Sequence, residues 1–182
     1  MKLIEAMKEL RLIHKRMSRN TDDITMYASL PSTEKPHFGS DEEQRKEVIS
    51  KVQANLDLFK RYLQLKRRIE LTNLSTIIEI DAKKYSLAEL LVIRGARQGL
   101  GLGEYILDTF RAMNDENAET RMRNAAPGPG GERPHTVRFY DERKKNELLR
   151  EWDDFIDKID GKLEVVNATT DIVEDPGEDF AK

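Results

Sequence analysis

The chain has 182 residues and no cysteine, which excludes disulfides, thiolate metal sites and cysteine nucleophiles. Charged residues make up 36% of it, against roughly 25% in ordinary globular proteins, and a surplus of both signs suits elongated helices with much surface per residue. The net charge of −3 supplies no strong field for nucleic acid or for cations, so no nucleic-acid partner is expected.

No stretch approaches the roughly 20 apolar residues of a membrane span. The start Met1-Lys2-Leu3-Ile4-Glu5 lacks the apolar block of a signal peptide. These features predict a protein without a membrane partner, cytoplasmic, or in the virion if phage-encoded.

From Met1 to about Arg19, Leu3, Met7, Leu10, Ile13 and Met17 recur at three- and four-residue steps, which predicts a helix. Ile24 to Tyr27 reads as a short strand, before a loop with Pro31, Pro36 and Gly39. Ser40 with Glu43 forms a capping-box pattern that opens a long helix. Its apolar positions Val48, Val52, Phe59, Tyr62 and Ile69 run to about Thr72. A helix of that length needs another long helix, from its own chain or a second one, to cover its stripe.

Thr76 to Ile80 is rich in β-branched residues and predicts a strand, turned back as a hairpin by Asp81 to Lys84. Ser86 and Glu89 repeat the capping box and start a third helix. That helix contains Gly95, Gly99, Gly101 and Gly103, each costing about 1 kcal/mol relative to alanine if helical. Either it breaks near Gly99 or another backbone packs closely there. Helical spacing resumes from Glu104 to about Met113. Asn114 to His135 reads as a loop, and Thr136 to Phe139 as a strand. Asp141 then caps a last long helix carrying Leu148, Trp152, Phe155, Ile159 and Leu163. The acidic tail beyond Val173 lacks apolar periodicity and is expected to be disordered.

The ends of the two long helices match each other. Ile69 to Thr76 aligns with Leu163 to Thr170 at an offset of 94 residues. Leu58, Tyr62 and Leu65 fall on Trp152, Ile156 and Ile159 at the same offset, which predicts an internal two-fold repeat. Asn73 and Asn167 are expected to be structural helix stops, since asparagine tolerates the left-handed conformation at a helix C-terminus.

Catalytic signatures do not converge. His14, His37 and His135 lack partners at metal-ligand spacing. There is no Gly-x-Ser-x-Gly elbow. The run Gly99-Leu100-Gly101-Leu102-Gly103 beside Arg94 and Arg97 fits neither the Gly-Lys-Ser/Thr loop nor the dinucleotide fingerprint. The acidic clusters Asp41-Glu42-Glu43 and Asp153-Asp154-Asp157-Asp160 read as solvated helix faces or helix starts, and Lys66-Arg67-Arg68 as charge suited to a helix C-terminus. No catalytic residue, cofactor or metal is expected.

Four motifs in order resemble the septicolysin-like family of small bacterial helical proteins: Met1 to Ala6, Ile69 to Thr76 ending in Thr72-Asn73-Leu74-Ser75-Thr76, Ser86 to Leu90, and Val137-Arg138-Phe139 followed by the helix to Asn167-Ala168-Thr169-Thr170. The loop from Met26 to Gly39 and the glycine-rich third helix depart from that pattern. The resemblance implies a helical fold and oligomerisation and supplies no catalytic residues. The family's label would imply a membrane-active cytolysin.

The expected fold is therefore mainly α, with long coiled-coil-like helical hairpins, a few short β-strands and an internal repeat. Residues 1–80 form the first half, 81–173 the second, packed on it as one domain, and 174–182 the tail. The expected function is a non-enzymatic assembly protein, with a phage or prophage particle as its setting, forming homo-oligomers and joining a larger protein assembly. Phe59, Tyr62, Ile69, Trp152, Phe155 and Ile159 are the expected interface residues. A ligand- or nucleotide-binding protein using Arg94 to Gly103 is the alternative beside the cytolysin.

Overall fold

A computed structural model describes residues 1–95, 102–123 and 135–174. It is mainly helical, with helices α1 (Leu3–Tyr27), α2 (Asp41–Ser75), α3 (Leu87–Arg94), α4 (Leu102–Arg111), α5 (Glu116–Arg123) and α6 (Glu142–Thr169) among the described residues. Strands β1 (Ile77–Ile80) and β2 (Lys83–Ser86) form one small hairpin sheet. The chain divides into two compact units, one of residues 1–77 with 164–182, the other of residues 78–163. The segment from Glu164 onward thus belongs with the first unit, not with the second half as the sequence suggested.

The first unit is built on a helical hairpin. Buried Leu3, Ala6 and Ile13 of α1 and Leu65, Ile69 and Thr72 of α2 supply its core, with Ile172 from the C-terminal segment. Polar pairs set the antiparallel register. Glu9 pairs with Arg61, Asn20 Nδ2 donates to Asn55 Oδ1 at 3.0 Å, and Lys51 Nζ reaches Asp23 at 2.8 Å. At the loop end, Gln44 is buried and holds the connecting segment. Its Nε2 donates to the Tyr27 carbonyl at 2.9 Å, and its Oε1 accepts from His37 N–H at 2.8 Å.

Residues 24–27, expected as a strand, are the last turn of α1. The helix persists because Thr25 Oγ1 bonds the Thr21 carbonyl one turn back and Tyr27 packs its ring against His37 and Phe38. Ser40 caps α2 as expected, accepting from Glu43 N–H at 3.2 Å. The preceding Gly39 has φ +92°, and a Cβ there would meet the Glu43 carboxylate at 2.8 Å.

Asn73 does not stop α2. It is buried inside the helix, which runs on to Ser75 and closes with Thr76 N–H on the Thr72 carbonyl. Asn167 likewise lies within α6, which ends at Thr169 with Thr170 N–H on the Val166 carbonyl. The stops come instead where each chain turns to extended pairing. After α2 that pairing is β1; after α6 it is a bridge of Asp171 with Lys2. Both helix ends keep the 94-residue offset. Upstream the halves differ, since a single 25-residue α1 has shorter helices α3, α4 and α5 as its counterpart.

In the second unit, β1 presents Ile78 and Ile80 to the interior, and Leu87, Leu90, Ile159 and Leu163 are buried. The hairpin turns on Asp81 (φ 50°) and Ala82 (φ 63°), two consecutive left-handed residues as the twist of a two-residue hairpin demands. Lys158 Nζ holds the Asp81 carboxylate at 2.8 and 2.9 Å. Ser86 and Glu89 form the full capping box of α3: Ser86 Oγ accepts from Glu89 N–H at 3.2 Å, and Ser86 N–H donates to the Glu89 carboxylate at 2.6 Å. Asp141 caps α6, its Oδ1 accepting from Arg143 N–H at 2.8 Å and Lys144 N–H at 3.2 Å.

Two expectations in this unit need correction. The loop expected over 114–135 contains helix α5 from Glu116, opened by Asn114 Oδ1 accepting from Glu116 N–H at 3.0 Å. Residues 136–139, expected as a strand, are in no strand. Arg138 pairs there with Asp115 through side chains, its Nε 2.7 Å from Oδ2, and no sheet ladder forms. The break or close packing expected near Gly99 falls outside the described residues, as does the tail beyond Glu174.

Candidate functional site

Helix α2 carries two stripes. The first faces α1 at alternating steps of four and three residues: Gln44, Val48, Lys51, Asn55, Leu58, Tyr62, Leu65, Ile69 and Thr72 are buried or half-buried. Lys51 and Asn55 make their bonds to α1, and the ion pair with Asp23 raises the Lys51 pKa. Hydrophobic packing at the lower end of this stripe therefore gives way to polar pairs at the upper end.

The second stripe is apolar throughout and uncovered. Ile49, Val52, Leu56, Phe59 and Leu63 follow at steps of three, four, three and four, with exposures of 61, 44, 52, 48 and 47%. That step pattern is the a/d repeat of a coiled-coil seam. At 100° per residue the two stripes are centred roughly 110° apart around the helix, so one helix can serve two neighbours. Scattered exposed apolar side chains are ordinary on any protein. Here five are aligned over about 21 Å of one helix.

Charge is divided along the same helix. Residues 41–47 hold four acidic and two basic side chains, and residues 60–68 hold five basic and no acidic ones. The acidic end sits at the helix N-terminus, where the dipole favours it.

The residues expected at an interface divide among three environments. Phe59 lies on the exposed stripe, while Tyr62 and Ile69 belong to the α1-facing one. Ile159 is wholly buried in the second unit. Trp152 and Phe155 stand 5.9 Å apart, with Tyr85 6.1 Å from Phe155, along a groove of about 310 Å³ that Phe110 and Leu148 also line. Reading Val48, Val52, Phe59, Tyr62 and Ile69 as one series merged the two stripes. The steps from Ile49 to Leu63 were the signal that separates them.

Groups that suggested other chemistry are engaged elsewhere or solvated. Arg94 pairs with Asp160, and residues 96–101 of the glycine-rich run lie outside the described residues. Arg68 Nε donates to the Val173 carbonyl at 2.8 Å, and Lys66 pairs with Glu70 at 2.5 Å. His14, His37 and His135 are exposed, and His37 packs edge-on to Tyr27 with centroids 5.2 Å apart. Among the described residues no three metal-ligating side chains cluster, and no helix is long and apolar enough to cross a membrane.

A polar cluster that the sequence did not suggest lies before α6. Asp115 accepts from Arg138 and, at 3.1 Å, from the Tyr140 hydroxyl, while Lys145 sits 5.6 Å from the Tyr140 ring centre. The Arg138 bond holds the Asp115 carboxyl below its usual range. Desolvation, reinforced by the Asp115 bond, pushes the Tyr140 phenol up to about 12. The cluster fixes the entry to α6 and offers no nucleophile.

Comparison of the chain with protein-family models, with curated proteins and with solved structures gave no match.

Proposed function

We propose that the protein is a non-enzymatic assembly protein that self-associates through its long helices, with α2 as the principal contact. The uncovered stripe from Ile49 to Leu63 carries this reading. Burying the exposed half of one such side chain contributes about 1 kcal/mol, so several in register supply a driving force for association. The resemblance to septicolysin-like proteins favours an oligomer in the same way. A phage or prophage particle is the setting we favour, with the loops contacting a larger partner. Sedimentation equilibrium at micromolar concentration tests the reading: a mass at or above twice 21.1 kDa is expected, and a strict monomer contradicts it.

The aromatic groove of the second unit favours a second reading, in which that unit takes a small apolar or cationic ligand between Trp152, Phe155 and Tyr85. Trp152 is the sole tryptophan of the chain, so its fluorescence reports on this site alone. A ligand screen that leaves the emission unchanged removes this reading. The membrane-active alternative rests on the resemblance only, and absence of leakage from liposomes of varied composition would end it.

A further inference from the structure

We infer that the occupant of the exposed α2 stripe is the same stripe of a second copy, running antiparallel, with the two-fold axis passing between Val52 and Leu56. This rests on the self-association reading and specifies its geometry. In antiparallel pairing, a positions meet d positions of the other helix. Ile49 then lies opposite Phe59 of the copy and Val52 opposite Leu56, and the symmetry repeats both layers. Each layer joins two apolar side chains that are about half exposed in the single chain.

The ends of the seam select the direction. One turn beyond Leu63, the series continues to Lys66, and before Ile49 it continues through Arg45 to Glu42. In the antiparallel register Glu42 of one chain reaches the layer of Lys66 of the other, at both ends of the interface. Both side chains are exposed and, among the described residues, pair one turn away on their own helix, Glu42 with Lys46 and Lys66 with Glu70. Such pairs are easily exchanged. A parallel arrangement would instead place Lys66 on Lys66 and Glu42 on Glu42, and stack the five basic residues of 60–68 on themselves. The helix dipoles also oppose one another favourably only when the helices run in opposite directions. The antiparallel register has two unfavourable features: Leu63 lies opposite Arg45 of the copy, and Lys46 faces Lys60 of the copy across the solvent-exposed flank.

Two measurements on the full chain test this. The protein has no native cysteine, so single spin labels can be placed at Gln53→Cys and, separately, at Glu70→Cys. The antiparallel dimer gives a short label–label distance at 53 and a long one at 70, about 48 Å along the helix axis at 1.5 Å per residue. Short distances at both positions mean a parallel pair and overturn the inference, while self-association stands. Lys60→Glu converts both flanking Lys46–Lys60 contacts into opposite-charge pairs, and lowers the dimer dissociation constant about tenfold at low salt, less at high salt. No change in affinity, as expected if position 60 faces Asn55 of a parallel copy, also overturns it. A dimer whose labels at both positions stay distant places the contact on another face, and a monomer removes this inference together with the reading it rests on.

Discussion

The hydroxyl of Thr72 accepts a hydrogen bond from the backbone N–H of Val173 at 3.0 Å, joining residues 101 positions apart in the chain. Thr72 Oγ1 also donates to the Arg68 carbonyl at 2.7 Å, and Arg68 Nε returns to the Val173 carbonyl at 2.8 Å. Beside this lies a short antiparallel pairing, in which Leu3 N–H donates to the Thr170 carbonyl and Ile172 N–H to the Met1 carbonyl, each at 2.9 Å. The C-terminal segment is thus bound to both helices of the hairpin.

Thr72→Val keeps the shape of this buried side chain and removes its oxygen. The Val173 N–H is then left without an acceptor, and we expect a loss of about 1–3 kcal/mol in denaturant unfolding. Thr72→Ser retains the bond and should lose less. A larger loss in Thr72→Ser than in Thr72→Val would show that the methyl group, not the hydroxyl, is what matters.

Ala82 occupies a left-handed conformation (φ 63°) that costs an L-residue with a Cβ roughly 1 kcal/mol or more. Ala82→Gly should therefore leave stability unchanged or raise it by up to about 1 kcal/mol, the relief of strain being offset by glycine's extra freedom in the unfolded chain. A clear drop in thermal midpoint would mean the turn does not adopt this geometry.

The capping box of α3 gives a pH dependence with a definite sign. The Ser86 backbone N–H, then its hydroxyl, lower the Glu89 pKa below 4.5. Folding therefore favours the carboxylate. Its contribution is present above the unfolded-state value and is lost as pH falls through the lowered folded-state value. Ser86→Ala should cost about 0.5–2 kcal/mol at neutral pH, and the difference from the parent should shrink below the unfolded-state value of Glu89. A difference that stays constant from pH 6 to pH 3 would contradict this.

Tyr140 offers a spectroscopic check on the cluster before α6. Of five tyrosines, this one should ionise at about 12. Because folding favours the protonated phenol, its contribution persists below 10 and declines as pH rises toward 12. Asp115→Asn should lower the pKa while leaving part of the shift, since desolvation is its largest cause. A Tyr140 that ionises near 10 would show that the cluster is open to water.

Features decided by neighbours in sequence were legible. Ser40, Ser86 and Asp141 each announced a helix start through a side chain that reaches an N–H two or three residues on, and the hairpin at Asp81-Ala82 followed from β-branched runs on one side of a turn. Features decided at a distance were not. Asn73 looked like a stop because asparagine tolerates left-handed backbone, yet tertiary burial keeps it helical. Tyr27 was drawn into α1 by rings arriving from the following loop. The two stripes of α2 interleave, so their apolar residues read as one series until the helix has a partner on one side only. The α1-facing stripe was harder still, since Gln44, Lys51 and Asn55 are polar residues at positions that burial claims.

In the proposed assembly, Ile49 to Leu63 forms an intermolecular seam while contributing little to the fold of the single chain. Leu56→Glu, at a position 52% exposed, puts a charge in the middle of that seam. Sedimentation velocity and thermal unfolding on the same dilute samples measure its effect on mass and on stability together. The variant is expected to sediment as a monomer where the parent does not, and under conditions where both are monomeric their midpoints should agree within a few degrees. An assembled Leu56→Glu protein, or a monomer that unfolds far below the parent, would contradict this.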